Sequence, residues 1–139
     1  MRLLPLVGLL GVAACGGTLM SATRGVTPNA PDVAYQCTQR QLTTLGFRIT
    51  AHNDVDLRIV GEKLDPSLRV ANGLFKRGFH RIEVEIRPDA SGNSAYTTTL
   101  QSFREYVSSQ GTTLEETKVP ASAARDQAKV IEACAPKAQ

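Results

Sequence analysis

The chain has no tryptophan, and aromatic residues make up only 5 % of it. It therefore offers no evident platform on which exposed bases could stack, so a single-stranded nucleic-acid binder is disfavoured. No charge of one sign dominates either: 16 Lys and Arg stand against 13 Asp and Glu. That balance argues against both a nucleic-acid partner and a strongly acidic one. The three cysteines include no C-x-x-C pair, and neither histidine stands near one of them, so zinc-type ligand spacing is missing. Ser67, Ser91, Ser94 and Ser102 lie in neither a G-x-S-x-G elbow nor an S-x-x-K motif, which leaves hydrolase chemistry without a local signature. The one sustained apolar stretch, Leu3 to Ala13, ends before the ~20 residues that a membrane-spanning helix requires. These absences predict a protein that is not an enzyme and that carries no cofactor or metal.

What is present begins at that stretch. Arg2 precedes it, Pro5, Gly8 and Gly11 interrupt it, and it closes on Val12, Ala13, Ala14 and Cys15. This is the layout of a signal peptide. The small residues at 13 and 14 let a peptidase draw the backbone into a narrow groove, and the Cys15 thiol can carry a diacylglyceryl thioether. Residues 1–17 thus resemble bacterial lipoprotein precursors with a lipobox. The resemblance implies cleavage after residue 14, lipidation at Cys15 and a place in the bacterial cell envelope. Gly16 rather than Asp after the cysteine leans, in the Gram-negative pattern, towards the outer membrane, with the protein facing the periplasm. The alternative is an ordinary secretory peptide cleaved near Ala14, with Cys15 a bystander. Two or three acyl chains, at ~0.8 kcal/mol per buried CH₂, hold a protein stably where one chain does not.

Setting Cys15 aside leaves Cys37 and Cys134. In an oxidising compartment such a pair suggests one disulfide, closing a loop of 97 residues and tying the two ends of the domain together. Two buried free thiols are the other reading. Residues 15–30 are small and polar without sustained periodicity and are expected to form a lipidated flexible tether reaching about 20 Å. Residues 31–139 are enough for one modest core and are expected to form a single domain.

Within that domain, Pro31 and Asp32 open a helix in which Ala34, Thr38, Leu42 and Leu45 share a face, and Gly46 suits a left-handed C-terminal cap. The period then changes to two. Phe47, Ile49 and Ala51 alternate with Arg48, Thr50 and His52; after a turn at Asn53 and Asp54, Leu57, Ile59 and Gly61 resume the alternation. Residues 64–78 are punctuated by Asp65, Pro66, Asn72, Gly73 and Gly78 and read as a loop with one helical turn after Pro66. Ile82, Val84 and Ile86 then alternate with Arg81, Glu83, Glu85 and Arg87, a strand with one dry and one wet face. A turn over residues 89–93 leads to a Thr-rich strand at 94–103, residues 108–118 read as a loop, and Pro120 opens a second helix faced by Ala124, Ala128, Ile131 and Ala135.

The expected fold is α+β: a two-layer sandwich of a four-stranded antiparallel sheet with two helices on one face, in the order α-β-β-β-β-α. Leu45-Gly46-Phe47, Val60-Gly61-Glu62-Lys63 and the run Arg81 to Asp89 resemble small envelope lipoprotein domains. In those domains a cysteine-bearing helix ends in Leu-Gly-Phe or Leu-Gly-Tyr before a hairpin, a charged strand and a final helix. Over residues 32–135 the pattern is also similar to that of a lipoprotein family of the outer-membrane barrel-assembly machine. The resemblance supplies no catalytic residues.

Candidate sites are few. Asp54 and Asp56 have the D-x-D spacing that opens a calcium loop, with His52 close by. Ile59 stands where the turn glycine belongs and no glutamate follows at 65, so a solvated turn is expected. His80 shares the parity of Ile82 and is expected at the edge of the core, with no neighbouring nucleophile or carboxylate in sequence. The polar strand face offers Arg48, Arg58, Arg81, Glu83, Glu85 and Arg87. These form either a ladder of solvated pairs or a docking surface whose alternating signs select and orient a partner. Two functions are expected from this: a non-catalytic structural or protein-interaction module of the envelope, or a small-molecule or lipid-binding module with its groove between residues 64–78 and the helices.

Overall fold

The structure, a computed structural model, describes residues 18–70 and 73–135. Its elements run β1 (Met20–Thr27), α1 (Pro31–Thr44), β2 (Arg48–Asn53), β3 (Arg58–Leu64), β4 (Phe75–Pro88), β5 (Ser94–Ser108), β6 (Gly111–Thr117) and α2 (Ala121–Cys134). The fold is α+β with two helices and one antiparallel sheet, and the sheet has six strands rather than four. Strands β1, β5, β4, β3 and β2 lie side by side in that order. Strand β6 pairs with the far half of β5, collinear with β1 along the same edge.

Local chemistry accounts for the helix ends. Pro31 and Asp32 occupy the first turn of α1, where a missing N–H costs nothing and a carboxylate meets the positive end of the helix dipole. At the other end Gly46 takes φ +85°. Its N–H donates to the Thr43 carbonyl and that of Phe47 to the Leu42 carbonyl, a Schellman closure in which Phe47 and Leu42 both enter the core. The chain is thereby aimed straight into β2.

The core lies between the helices and one face of the sheet. Ile82, Val84 and Ile86 of β4 stand opposite Leu100, Thr98 and Tyr96 of β5. They pack against Ala34, Tyr35 and Leu42 of α1 and Ala123, Val130 and Cys134 of α2. Cys37 and Cys134 are disulfide-bonded, with Cα atoms 5.6 Å apart, joining the two helices across the top of this core. Two polar anchors are buried in it. Gln127 accepts from Ser21 Oγ at 2.8 Å and donates to the Ser21 carbonyl at 3.0 Å and to Thr98 Oγ1 at 2.8 Å, and Thr38 Oγ1 is hydrogen-bonded to the Tyr96 hydroxyl.

Four expectations are corrected. The expected tether contains β1, so the folded domain begins by Met20 and not at residue 31. Ser21, Thr23, Gly25 and Thr27 face the helices while Met20 and Val26 point out, the reverse of an ordinary amphipathic strand. The residues beneath α2 are small, and a Cβ on Gly25 would sit in van der Waals contact with that of Ala135, 3.6 Å away. Strand β6 replaces the expected loop at 108–118. It runs beyond the helices with almost every residue exposed and so carries no apolar alternation. Strand β4 starts at Phe75, inside the expected 64–78 loop, because Gly78 lets the turn after Asp65 pack directly on it. A Cβ there would come within 2.3 Å of the Leu68 Cβ, and the Asp65 N–H donates to the Gly78 carbonyl at 2.9 Å. Finally, a bulge between Ile49 and Ala51 reverses the parity of β2. His52 falls opposite Ile59, on the helix side, and Ala51 opposite Val60, on the outer side.

Candidate functional site

The face of the sheet that carries neither helix is built by register. Arg58, Glu62, Arg81, Glu83 and Glu85 meet across β3 and β4; Thr97, Thr99 and Gln101 continue the rows on β5. All six charged residues singled out in the sequence stand on this face. Arg58 Nε donates to Glu83 Oε1 at 2.7 Å, and Arg87 Nη2 donates to Glu85 Oε2 at 3.0 Å. Arg81 turns the other way and donates to Glu62 at 2.8 and 3.0 Å. Arg48 lies beside Glu62 in the ladder but, among the described residues, makes no ion pair.

Towards the β6 end this face closes over an aromatic pair that sequence reading missed. Phe79 and Phe103 stack with ring centroids 5.5 Å apart, both buried although they lie on the side away from the helices. Their cover is cationic: the Arg77 guanidinium sits 4.7 Å from the Phe79 centroid and that of Arg81 5.0 Å from the Phe103 centroid. Glu105 and Glu62 lock the two arginines in place, and the hydrogen bond from Arg77 holds the Glu105 carboxyl below the usual range. The one available signal was parity, since Phe79 and Phe103 share the odd positions of Arg81 and Gln101. Nothing local in sequence, however, foretold that arginines would roof them.

On the helix side, His80 is buried between two partners distant in sequence. Its Nδ1 lies 2.8 Å from Ser102 Oγ and its Nε2 2.7 Å from Asp65 Oδ2. Burial drives the ring below its ordinary value and outweighs the pull of Asp65. The neutral ring thus donates from Nε2 to the carboxylate and accepts the Ser102 hydroxyl at Nδ1. Burial tends to raise Asp65, but the hydroxyl and amide of Ser67, with His80, bring it below the ordinary carboxylate value. A serine, a histidine and an aspartate in a row suggest acyl-transfer chemistry, yet Ser102 is fully buried, opposite His80 in the ladder and between β4 and β6. No substrate carbonyl can approach its oxygen, and the chain of hydrogen bonds instead fastens the Asp65 turn to the sheet. Beside it Lys63 Nζ donates to Asp126 at 2.7 Å. The depression between this turn and α2, lined by His80, Asp65 and Ser122 among others, measures about 190 Å³.

At the β2–β3 turn the carboxylates also have occupations. Asp54 accepts from the Tyr35 hydroxyl at 2.6 Å and lies 3.1 Å from His52 Nδ1, and Asp56 accepts from the Asn53 side-chain amide at 2.7 Å. The Tyr35 and His52 bonds lower Asp54, while burial, with the Asp54 carboxylate beside it, pushes Tyr35 up to about 12. Among the described residues no cluster of three His, Cys, Asp or Glu is arranged to hold a metal, and no helix is long and apolar enough to cross a membrane. Cys15, the expected lipidation site, lies outside the described residues.

No protein-family model matches the chain, and no curated protein does. Among solved structures, the chain is similar to a DUF4468 family protein from Bacteroides ovatus, at 12 % identity and a TM-score of 0.35, over 82 % of this chain and 78 % of that one. At that distance neither fold nor activity carries across. The similarity to the barrel-assembly lipoprotein family accordingly rests on residue pattern, and the six-stranded sheet opening on β1 departs from the order that pattern implied.

Proposed function

We propose that this chain is a bacterial envelope lipoprotein, acylated at Cys15, whose small non-catalytic domain docks a protein of the envelope through the charged outer face of its sheet. The observation that carries this reading is the gathering of Arg58, Glu83, Glu85 and Arg87 in one patch on the face that neither helix covers. Exposed pairs of this kind add little to folding stability, so their ordered alternation of sign is better suited to selecting and orienting a partner. The alternative, a small-molecule or lipid-binding module, would use the groove between residues 64–78 and the helices. That groove, at about 190 Å³, falls below the ~300 Å³ at which pockets for such ligands begin, whereas a depression against the same segment but away from the helices, lined by Leu64, Asp65, Arg69 and Lys76, measures about 400 Å³.

The test is photo-crosslinking in intact cells from positions 58 and 87, compared with Gln36 and Arg40 on the exposed side of α1. Defined protein adducts from the strand positions that are absent from the helix positions, and that are lost in Cys15→Ala, are expected. Equal adducts from both surfaces, or a small ligand co-purifying with a strand face that crosslinks to nothing, would overturn docking at this face.

A further inference from the structure

Strands β4, β5 and β6 project past the point where β1 begins. Met20 stands opposite Gln101, and β5 continues to Ser108, so at ~3.3 Å per residue the tip lies about 23 Å further on. The chain approaches β1 from this same end, since the Val119 N–H donates to the Thr18 carbonyl at 3.1 Å. Cys15 is three residues before Thr18. Whatever its conformation, that connection spans no more than about 11 Å. The corrected start of the domain therefore replaces a 20 Å-class tether with a leash shorter than the projection beside it.

Exposed aliphatic side chains lie near this tip: Leu74, Val107 and Leu114 are between 40 and 52 % exposed. Leu64 and Met20 lie further back along the same outer face, opposite Phe79 and Gln101. Behind Leu74 and Val107, Phe75 and Tyr106 meet edge to face with centroids 6.1 Å apart. At the opposite end Val26, Val33 and Val55 stand singly on separate elements. An exposed aliphatic cluster with aromatic backing is characteristic of a surface that meets an apolar partner, and aromatic rings of this kind suit the level of lipid headgroups. Lys76 adds a half-exposed cation near the tip, its ammonium 3.5 Å from the buried Glu105 carboxylate and its long stem open to solvent. Glu115 and Glu116 follow Leu114 on the side away from the tip and keep the contact shallow.

We propose that the projecting β4–β5–β6 tip, with Leu74, Val107 and Leu114, rests in the phospholipid surface that holds the acylated Cys15, so that the domain is held in one orientation rather than swinging freely. This rests on the lipid anchor of the preceding reading. It leaves the Arg58–Glu83 and Glu85–Arg87 half of the outer face pointing away from the membrane, where a partner can reach it.

The experiment reconstitutes the purified, lipidated protein into phosphatidylethanolamine–phosphatidylglycerol vesicles whose acyl chains carry a nitroxide. An environment-sensitive fluorophore is attached in separate variants at Leu74→Cys, Val107→Cys, Leu114→Cys, Val33→Cys and Val55→Cys, with folding checked by circular dichroism. Quenching several-fold stronger at 74, 107 and 114 than at 33 and 55 is expected. Mass spectrometry of the same preparations reads the anchor independently. An unmodified Cys15 defeats the lipoprotein reading, and the orientation with it; acylated protein quenched equally at both ends overturns the orientation alone. Shielding of the three tip sites in lipid-free Cys15→Ala protein that grows with protein concentration would assign the tip to a second copy of the chain, and would also overturn it.

Discussion

His80 shows how a single residue can look unremarkable in sequence and hold a loop in the fold. Its partners stand 15 and 22 residues away, and parity could place the ring on the core side but could not supply the Asp65 carboxylate or the Ser102 hydroxyl. The pH consequence follows from direction alone. The folded state holds the ring below its ordinary value of 6.5, so the unfolded chain binds the proton first as pH falls. The stability contributed by neutral His80 is complete above about 6.5 and is lost progressively below it. Asp65, also lowered, contributes above its ordinary 3.8 and loses that contribution as pH falls through its folded value. The urea midpoint should therefore fall between pH 7 and pH 5.5, and the fall should be shallower in His80→Gln. Parallel profiles for the two proteins would remove His80 as the source.

At the scale of elements, legibility tracked how each strand is covered. Helices α1 and α2, the cap at Gly46 and the Ile82–Ile86 strand were readable because one face of each is buried and the other wet, so periodicity and burial coincide. Strands β1 and β6 were not. One turns small polar residues inward beneath a helix, and the other has scarcely any dry face. What holds β1 under α2 is Gln127, which ties Ser21 to Thr98 across three elements. Gln127→Ala strands those groups without partners and is expected to cost about 1–3 kcal/mol. Its signature is hydrogen exchange: amides of β1 should lose protection before those of β4. Uniform loss along the sheet would mean that Gln127 supports the core in general and not the docking of β1.

For the whole molecule, the disulfide and the division of the outer face matter most. The bond between Cys37 and Cys134 closes 97 residues, and the chain-entropy account assigns such a closure about 4–5 kcal/mol. Replacing both cysteines by alanine should lower the urea unfolding midpoint and steepen the slope, because the unlinked denatured chain expands and exposes more surface; an unshifted midpoint would mean that helix packing alone carries the join. Across the face opposite the helices, half is an open ladder of charge and half is an arginine-roofed aromatic pair leading to an aliphatic tip. Several of the charged residues were readable as one face, since alternation alone sorts them. The second half needed the register of three strands to assemble Phe79, Phe103, Arg77 and Glu105.

Sequence alone determined the features that depend on neighbours along the chain: two helices, the cap at Gly46, the strands with one dry and one wet side, the candidate acylation site and an even pair of later cysteines. Tertiary structure decided the features whose partners are far apart in sequence. It made a strand of residues 20–27, whose inward side is small and polar, and gave β6 its place through backbone pairing alone. It buried His80 against Asp65 and Ser102, and turned His52 to the helix side by a one-residue bulge. Backbone hydrogen bonding and close approach impose no periodicity that a sequence must display, and for that reason these features become visible only when the sheet is assembled.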